Sequence, residues 1–208
     1  MSTAPGSTAT PGTPRVLSAP WRERYLKAIG EAERVAAAAP AVVPPGSSGS
    51  FLRDYWLAPE QDEANLVVLR RSDAEAGGPG CGGMALLNLY PYANGHMLVA
   101  LGDARGRLLE YEPAQRAALW RLVDDASAML ARAVEPQGVN IGVNEGRAAG
   151  AGVPQHLHVH LIPRWLGDVN FMTAVGGVRV IPGAAEEMAR RLRAAWADIA
   201  RERGGGGR

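Results

Sequence analysis

The ten residues Gln155-His156-Leu157-His158-Val159-His160-Leu161-Ile162-Pro163-Arg164 decide how the rest of the chain is read. The chain has four histidines, and three of them stand here, alternating with Leu157, Val159 and Leu161. Successive side chains of a β-strand point to opposite faces. As a strand, this segment carries three imidazoles on one face and three aliphatic side chains on the other. The aliphatic face can pack on a core while the imidazole face meets a ligand. Alternate residues along a strand lie about 6 to 7 Å apart, near enough for the rings to share one ion or touch one extended polyanion.

Upstream, Val139–Asn144 alternates like a strand, and 145–152 is a loop of small residues with Gly146, Gly150 and Gly152. Such a loop lets backbone N–H groups approach an anion closely. Before it, 112–134 carries Leu119, Leu122, Val123, Ala126, Met129, Leu130 and Ala133 at three- and four-residue intervals, with Pro113 at an early helical position. This spacing predicts a helix. Further upstream, 66–70 and 84–90 read as strands around a Gly/Pro-rich turn. A turn over 91–95 then leads to a third strand over 96–101, so an antiparallel meander is expected. Downstream, a turn over 167–170 and a short strand over 178–181 precede a helix from about Ala184 to Arg203. That helix shows Met188, Leu192, Ala195, Trp196 and Ile199 on one face.

The start of the chain differs in kind. Residues 1–19 are rich in Ser, Thr, Pro and Gly and are expected to be a disordered tail. The segment 20–50 reads as a helix beginning at Pro20, followed by a flexible Pro/Gly/Ser linker. The ordered domain is expected over 51–203, with 204–208 as a second disordered tail. At 208 residues and 47% hydrophobic side chains, one substantial core is the natural count. Lys plus Arg number 22 against 21 Asp plus Glu, a net charge of +1, which makes no global electrostatic case for nucleic acid or membranes. No stretch approaches the ~18 apolar residues that would span a bilayer. A single cysteine, Cys81, excludes an internal disulfide framework and suits the cytoplasm, the expected location.

Two chemistries fit the histidine face. Three imidazoles could hold a zinc ion that activates water, although the nearest acidic residues are Asp168 and Glu145. Alternatively, one neutral imidazole could attack phosphorus while its neighbours hold phosphate oxygens and a leaving group. The residues alone leave both open.

The run from His156 to Ile162 resembles the signature of the histidine triad family, His-φ-His-φ-His-φ-φ, at all seven positions. Asn88 to Val99 resembles that family's upstream strand-turn-strand with its own histidine, here His96. Asn144-Glu145-Gly146 is similar to the Asn or Gln that precedes the glycine loop. Pro163-Arg164-Trp165, with Gly167-Asp168 and Asn170-Phe171, resembles the branch of actinobacterial diadenosine tetraphosphate phosphorylase-like proteins. The resemblance implies an α+β histidine triad fold, with an antiparallel sheet of about five strands, a packed helix and a C-terminal helix, and a homodimer.

It further implies an enzyme in which His158 attacks the α-phosphorus of a nucleoside phosphate or dinucleoside polyphosphate and forms a nucleotidyl-histidine intermediate. His156 and His160 would hold phosphate oxygens and position the leaving group, with His96 in support. Asn88 would meet the ribose, and Asn144, Gly152 and Gln155 the phosphates. The base would lie against Leu86 and the aliphatics of 66–68. No metal and no cofactor are expected, apart from Mg2+ carried in by the substrate. One position departs from the family: Val153 stands where many members have Ser or Thr, which keeps a nucleotide-binding protein with little catalysis as the alternative.

Overall fold

The structure is a computed structural model that describes residues 48–168 and 184–205; the helix expected from Pro20 and the strand expected over 178–181 lie outside these residues. The described residues belong to a compact unit, Pro45–Arg208. Its elements in chain order are helix α1 (Phe51–Leu57), strand β1 (Val67–Arg71), the one-turn helix α2 (Asp73–Ala76), strands β2 (Gly83–Leu87) and β3 (Met97–Leu101), helix α3 (Pro113–Val134), strands β4 (Gly138–Val143) and β5 (Val159–Arg164), and helix α4 (Ala185–Gly205).

The strands form one antiparallel sheet in the order β1-β2-β3-β5-β4. The expected meander is its β1-β2-β3 half. β5, the last strand among the described residues, inserts between β3 and β4, so the histidine segment reaches the middle of the sheet. Pro163 is tolerated there because the β3 ladder ends at the Met97–Leu161 pair. Beyond that point, among the described residues, only β4 lies alongside, pairing Val139 with Pro163.

Helix α3 starts where Pro113 predicts, with the Gln115 side chain accepting the Glu112 backbone N–H at 2.9 Å. Its stripe Leu119, Leu122, Val123, Ala126, Met129 and Leu130 is buried, and Ala133 packs at its margin. Helix α4 adds Met188, Leu192 and Ile199 to the same core. Ala85, Leu87, Val99, Leu101, Leu157, Val159 and Leu161 supply the sheet's side of it. Each large apolar side chain enclosed there contributes about 1.5–3 kcal/mol.

The opposite face carries a smaller cluster of Val67, Met84, Leu86, Leu98 and Ala100, roofed by Leu52, Tyr55 and Trp56 of α1. Two glycines make that roof possible. A Cβ on Gly102 would lie 2.2 Å from the Trp56 ring, and one on Gly82 would lie 2.9 Å from it. Ser50 caps α1, and its own side chain is buried. Thus residues 48–50, expected to be the end of a linker, are anchored on the domain. Arg193 of α4 donates to the carbonyl of Val67 at 2.9 Å, covering part of the β1 edge.

Candidate active site

The alternation in the histidine segment survives folding, although the strand is shorter than expected and begins only at Val159. Leu157, Val159 and Leu161 enter the main core. His160 pairs in register with Leu98 and so stands on the face that α1 roofs. His156 lies in the turn before the strand and is fully buried. That turn is held from outside, the backbone N–H of Leu157 donating to the Arg105 carbonyl at 2.7 Å.

Hydrogen bonds fix which nitrogen of each ring carries its proton. His158 Nδ1 lies 2.9 Å from the carbonyl of His156, which can only accept, so Nδ1 bears the hydrogen and Nε2 keeps a bare lone pair. His96 Nδ1 accepts the backbone N–H of Tyr92 at 3.1 Å, with the Asn88 amide nitrogen 3.3 Å away. The hydrogen facing His160 therefore sits on His96 Nε2, 3.0 Å from His160 Nδ1. His160 accepts there, and its own Nε2–H becomes a donor. The His158 and His160 rings meet edge to face with centroids 4.9 Å apart. Tyr92 stacks on His96 at 5.1 Å.

His156 has both ring nitrogens engaged. Nε2 donates to the Leu101 carbonyl at 2.8 Å, and Nδ1 faces the Ser50 hydroxyl at 2.9 Å. The role of phosphate holder expected for His156 thus meets a ring already committed to the protein. A zinc site made of all three imidazoles meets the same obstacle, since the one lone pair of His156, on Nδ1, is taken up by the Ser50 hydroxyl. Burial pushes His156 and His158 below the ordinary histidine value. Burial and then the neighbouring His158 lower His160 to about 4. At neutral pH all three rings are therefore uncharged, which leaves His158 Nε2 unprotonated.

An apolar cleft of about 270 Å³ is lined by Phe51 and Tyr55 of α1, Leu86 and Leu98 of the sheet, and Asn88, Leu89 and Tyr90 of the turn; Leu98, the pairing partner of His160, and Asn88, beside His96, link it to the rings. Of the aliphatics expected to meet a base, Leu86 lines it. Val67 packs in the cluster beneath, and Leu66 and Val68 face the opposite core. Phe51 and Tyr55 were not foreseen; their spacing of four, directly after a capping serine, was the available signal. Asn88 lies between the cleft and the histidines, its side-chain oxygen accepting the Tyr90 N–H at 3.0 Å.

Asn144 follows the last β4–β5 pair, Val143–Val159, and so stands at the same end of the ladder as His158. The glycine loop after it is tied down by Glu145, which accepts the Leu108 N–H at 2.9 Å. Gly152 is exposed in that loop, and the side chain of Gln155 donates to the carbonyl of Gly49.

The HIT domain sequence profile matches residues 82–165. The AP-4-A phosphorylase of Mycobacterium tuberculosis is 35% identical over 182 residues, which cover 87% of this chain and 84% of that one. The chain belongs to the histidine triad family. A shorter match of 84 residues, at 36% identity, links it to the asymmetrical bis(5'-nucleosyl)-tetraphosphatase of Schizosaccharomyces pombe, covering 40% of this chain and 46% of that protein. Among solved structures, a zinc-bound histidine triad family protein from Mycobacterium smegmatis superposes with a TM-score of 0.56 at 24% identity, covering 72% of this chain and 96% of that one. That likeness extends to the fold.

Proposed function

We propose that the chain is a nucleotidyl-transferring enzyme that cleaves dinucleoside polyphosphates of the diadenosine tetraphosphate class through a covalent bond to His158. The observation that carries this reading is the tautomer of His158: a neutral ring with Nδ1–H tied to a carbonyl and Nε2 free to attack. One nucleoside base lies in the apolar cleft between Phe51, Tyr55, Leu86 and Leu98, with Asn88 toward the ribose. Nε2 of His158 bonds to the α-phosphorus as the bond from phosphorus to the departing polyphosphate oxygen breaks. The Nε2–H of His160 and the backbone of the glycine loop meet the oxygens that gain charge.

Attack by inorganic phosphate then breaks the P–N bond and releases a nucleoside diphosphate, restoring the bare nitrogen. Phosphate is chosen over water as acceptor because the long match is to a protein named for phosphorolysis. The reading needs no protein-bound metal or other cofactor, and the substrate can bring its own Mg2+.

Among the described residues no helix is long and apolar enough to cross a membrane. The free, buried Cys81 favours a reducing cytoplasm. The outer edge of β4 has no paired strand among the described residues, and Ile141 on it is 46% exposed. An open strand edge of this kind favours a homodimer built across β4.

Substituting His158→Ala tests the nucleophile. Turnover of diadenosine tetraphosphate with phosphate should fall by roughly 10³-fold or more, with the circular dichroism spectrum unchanged. Wild-type protein quenched with radiolabelled substrate should hold an acid-labile phosphoramidate that the variant lacks. Undiminished turnover in His158→Ala would remove the proposed mechanism.

A further inference from the structure

Ser50 stands at the start of α1 in an extended conformation (φ −129°, ψ 116°) and is 2% exposed. Its hydroxyl oxygen lies 2.9 Å from His156 Nδ1 and 3.4 Å from the backbone nitrogen of Arg53. The longer distance is the helix cap, and the shorter one is the contact to the ring, so the hydroxyl sits closer to the imidazole than capping requires. Because His156 Nε2 must donate to the Leu101 carbonyl, Nδ1 of the neutral ring is a lone pair. The only proton available for that contact is the serine's.

The two sides of the contact are held together at further points. Gln155 donates to the Gly49 carbonyl, and the Arg53 guanidinium donates to the Gly102 carbonyl. The charged and titratable groups facing His156 are His158, Arg53 of α1 and Asp103 beyond β3. Burial, and after it His158 and Arg53, oppose a positive charge on the ring.

We propose that Ser50 is a positioning residue for the nucleophile: its hydroxyl holds His156 in the Nε2–H form and so fixes the His156 carbonyl that orients His158 Nδ1–H. The inference deepens the function proposed above and rests on it. Without the hydroxyl, a buried lone pair loses its donor, and the Leu101 carbonyl alone is left to hold the His156 ring against rotation and exchange of tautomer. Either change loosens the turn whose carbonyl aims the attacking nitrogen. Misplacing a reacting group by about 1 Å can cost on the order of 100-fold in rate.

The test uses the full chain labelled with ¹⁵N-histidine, as wild type, Ser50→Ala, Ser50→Thr and Ser50→Asp. Wild-type His156 should show one protonated-type nitrogen and one bare nitrogen at pH 7.5. In Ser50→Ala this single-tautomer pattern should be lost, and kcat with diadenosine tetraphosphate and phosphate should fall about 10- to 100-fold, with KM within about twofold. Threonine, which restores the hydroxyl, should recover both readouts. Aspartate caps the helix but brings no proton, so it should remain as slow as alanine; recovery of kcat in Ser50→Asp would trace the effect to the cap and overturn the proposal. Unaltered His156 signals in Ser50→Ala would overturn it as well. Failure of the wild type to turn over any dinucleoside polyphosphate would instead strike the functional reading, and the ring signals would then decide the positioning role alone.

Discussion

Replacing His160 with Gln should flatten the acid side of the protein's stability profile. Burial, followed by the neighbouring His158, lowers the His160 ring from its ordinary value of 6.5 to about 4. The unfolded chain takes up this proton near 6.5, while the folded protein resists until about 4. Between those values the unfolded state binds more protons, so stability falls as pH falls. The stability linked to this ring is fully present above 6.5, is lost across the window down to about 4, and is level below it. A tenfold change in proton affinity is worth about 1.4 kcal/mol, which sets a ceiling of roughly 3 kcal/mol for the whole window. His160 is only half-buried, and solvent screening reduces the expected effect to roughly 1–2 kcal/mol. Glutamine offers a polar group toward His96 and does not titrate. Urea unfolding at pH 7.5, 6.5, 5.5 and 4.5 should therefore show the wild type losing about 1–2 kcal/mol more than His160→Gln over that range. His156 and His158, also lowered by burial, contribute a loss of the same sign to both proteins. Identical losses in the two proteins would refute the reasoning, whatever their absolute stabilities.

Two further outcomes follow from packing and from the sheet edge. Gly102→Ala puts a methyl group 2.2 Å from the Trp56 ring and should cost about 1–3 kcal/mol in urea unfolding, while Gly138→Ala, which meets open space, should stay within about 0.5 kcal/mol of wild type. Ile141→Glu on the open β4 edge should leave a folded monomer by circular dichroism and sedimentation where the wild type sediments as a dimer; a monomeric wild type would end the dimer proposal.

Much of the framework could be read because it is periodic. The stripe from Leu119 to Leu130 and the alternation from Leu157 to Leu161 repeat the geometry of the element each belongs to, so α3 and β5 needed no tertiary information. Ends were harder. The strand expected to run to Tyr90 stops at Leu87, because the Asn88 side chain takes the Tyr90 N–H and turns the chain. The histidine strand starts late because the turn before it is tied to Arg105, a contact 52 positions away in sequence. Helix α1 went unread beside a run of Pro, Gly and Ser that reads as linker, although Ser50 and Asp54 carried a start signal.

The site divides along the same line. His156, His158 and His160 were legible as one strand face and His96 through the family resemblance; the structure joins His96 to His160 through Nε2 and His160 to His158 edge to face. The committed state of His156 was not legible, since its partners are Ser50 and Leu101, 106 and 55 positions distant. No local pattern announces a pairing made across the whole domain. Of the aliphatics expected at the base, Leu66 and Val68 do not reach the cleft that Leu86 lines, for a related reason: in β1 neighbouring residues face opposite sides, and the register shifts between Val67 and Leu69.

Helix α1 has a consequence for how this protein could be cut or rebuilt. The span matched by the family profile, 82–165, contains every histidine yet excludes Ser50, Phe51, Tyr55 and Trp56. A fragment trimmed to that span would keep the four imidazoles and lose one wall of the cleft, the partner of His156 and the ring that seats on Gly82 and Gly102. Position 50 touches His156 and position 51 lines the cleft, so a redesign of the cleft wall at Phe51 would be felt one residue away at His156. The wall of the cleft and the partner of His156 are thus adjacent residues of one seven-residue helix and its cap, and a change to either is felt by the other.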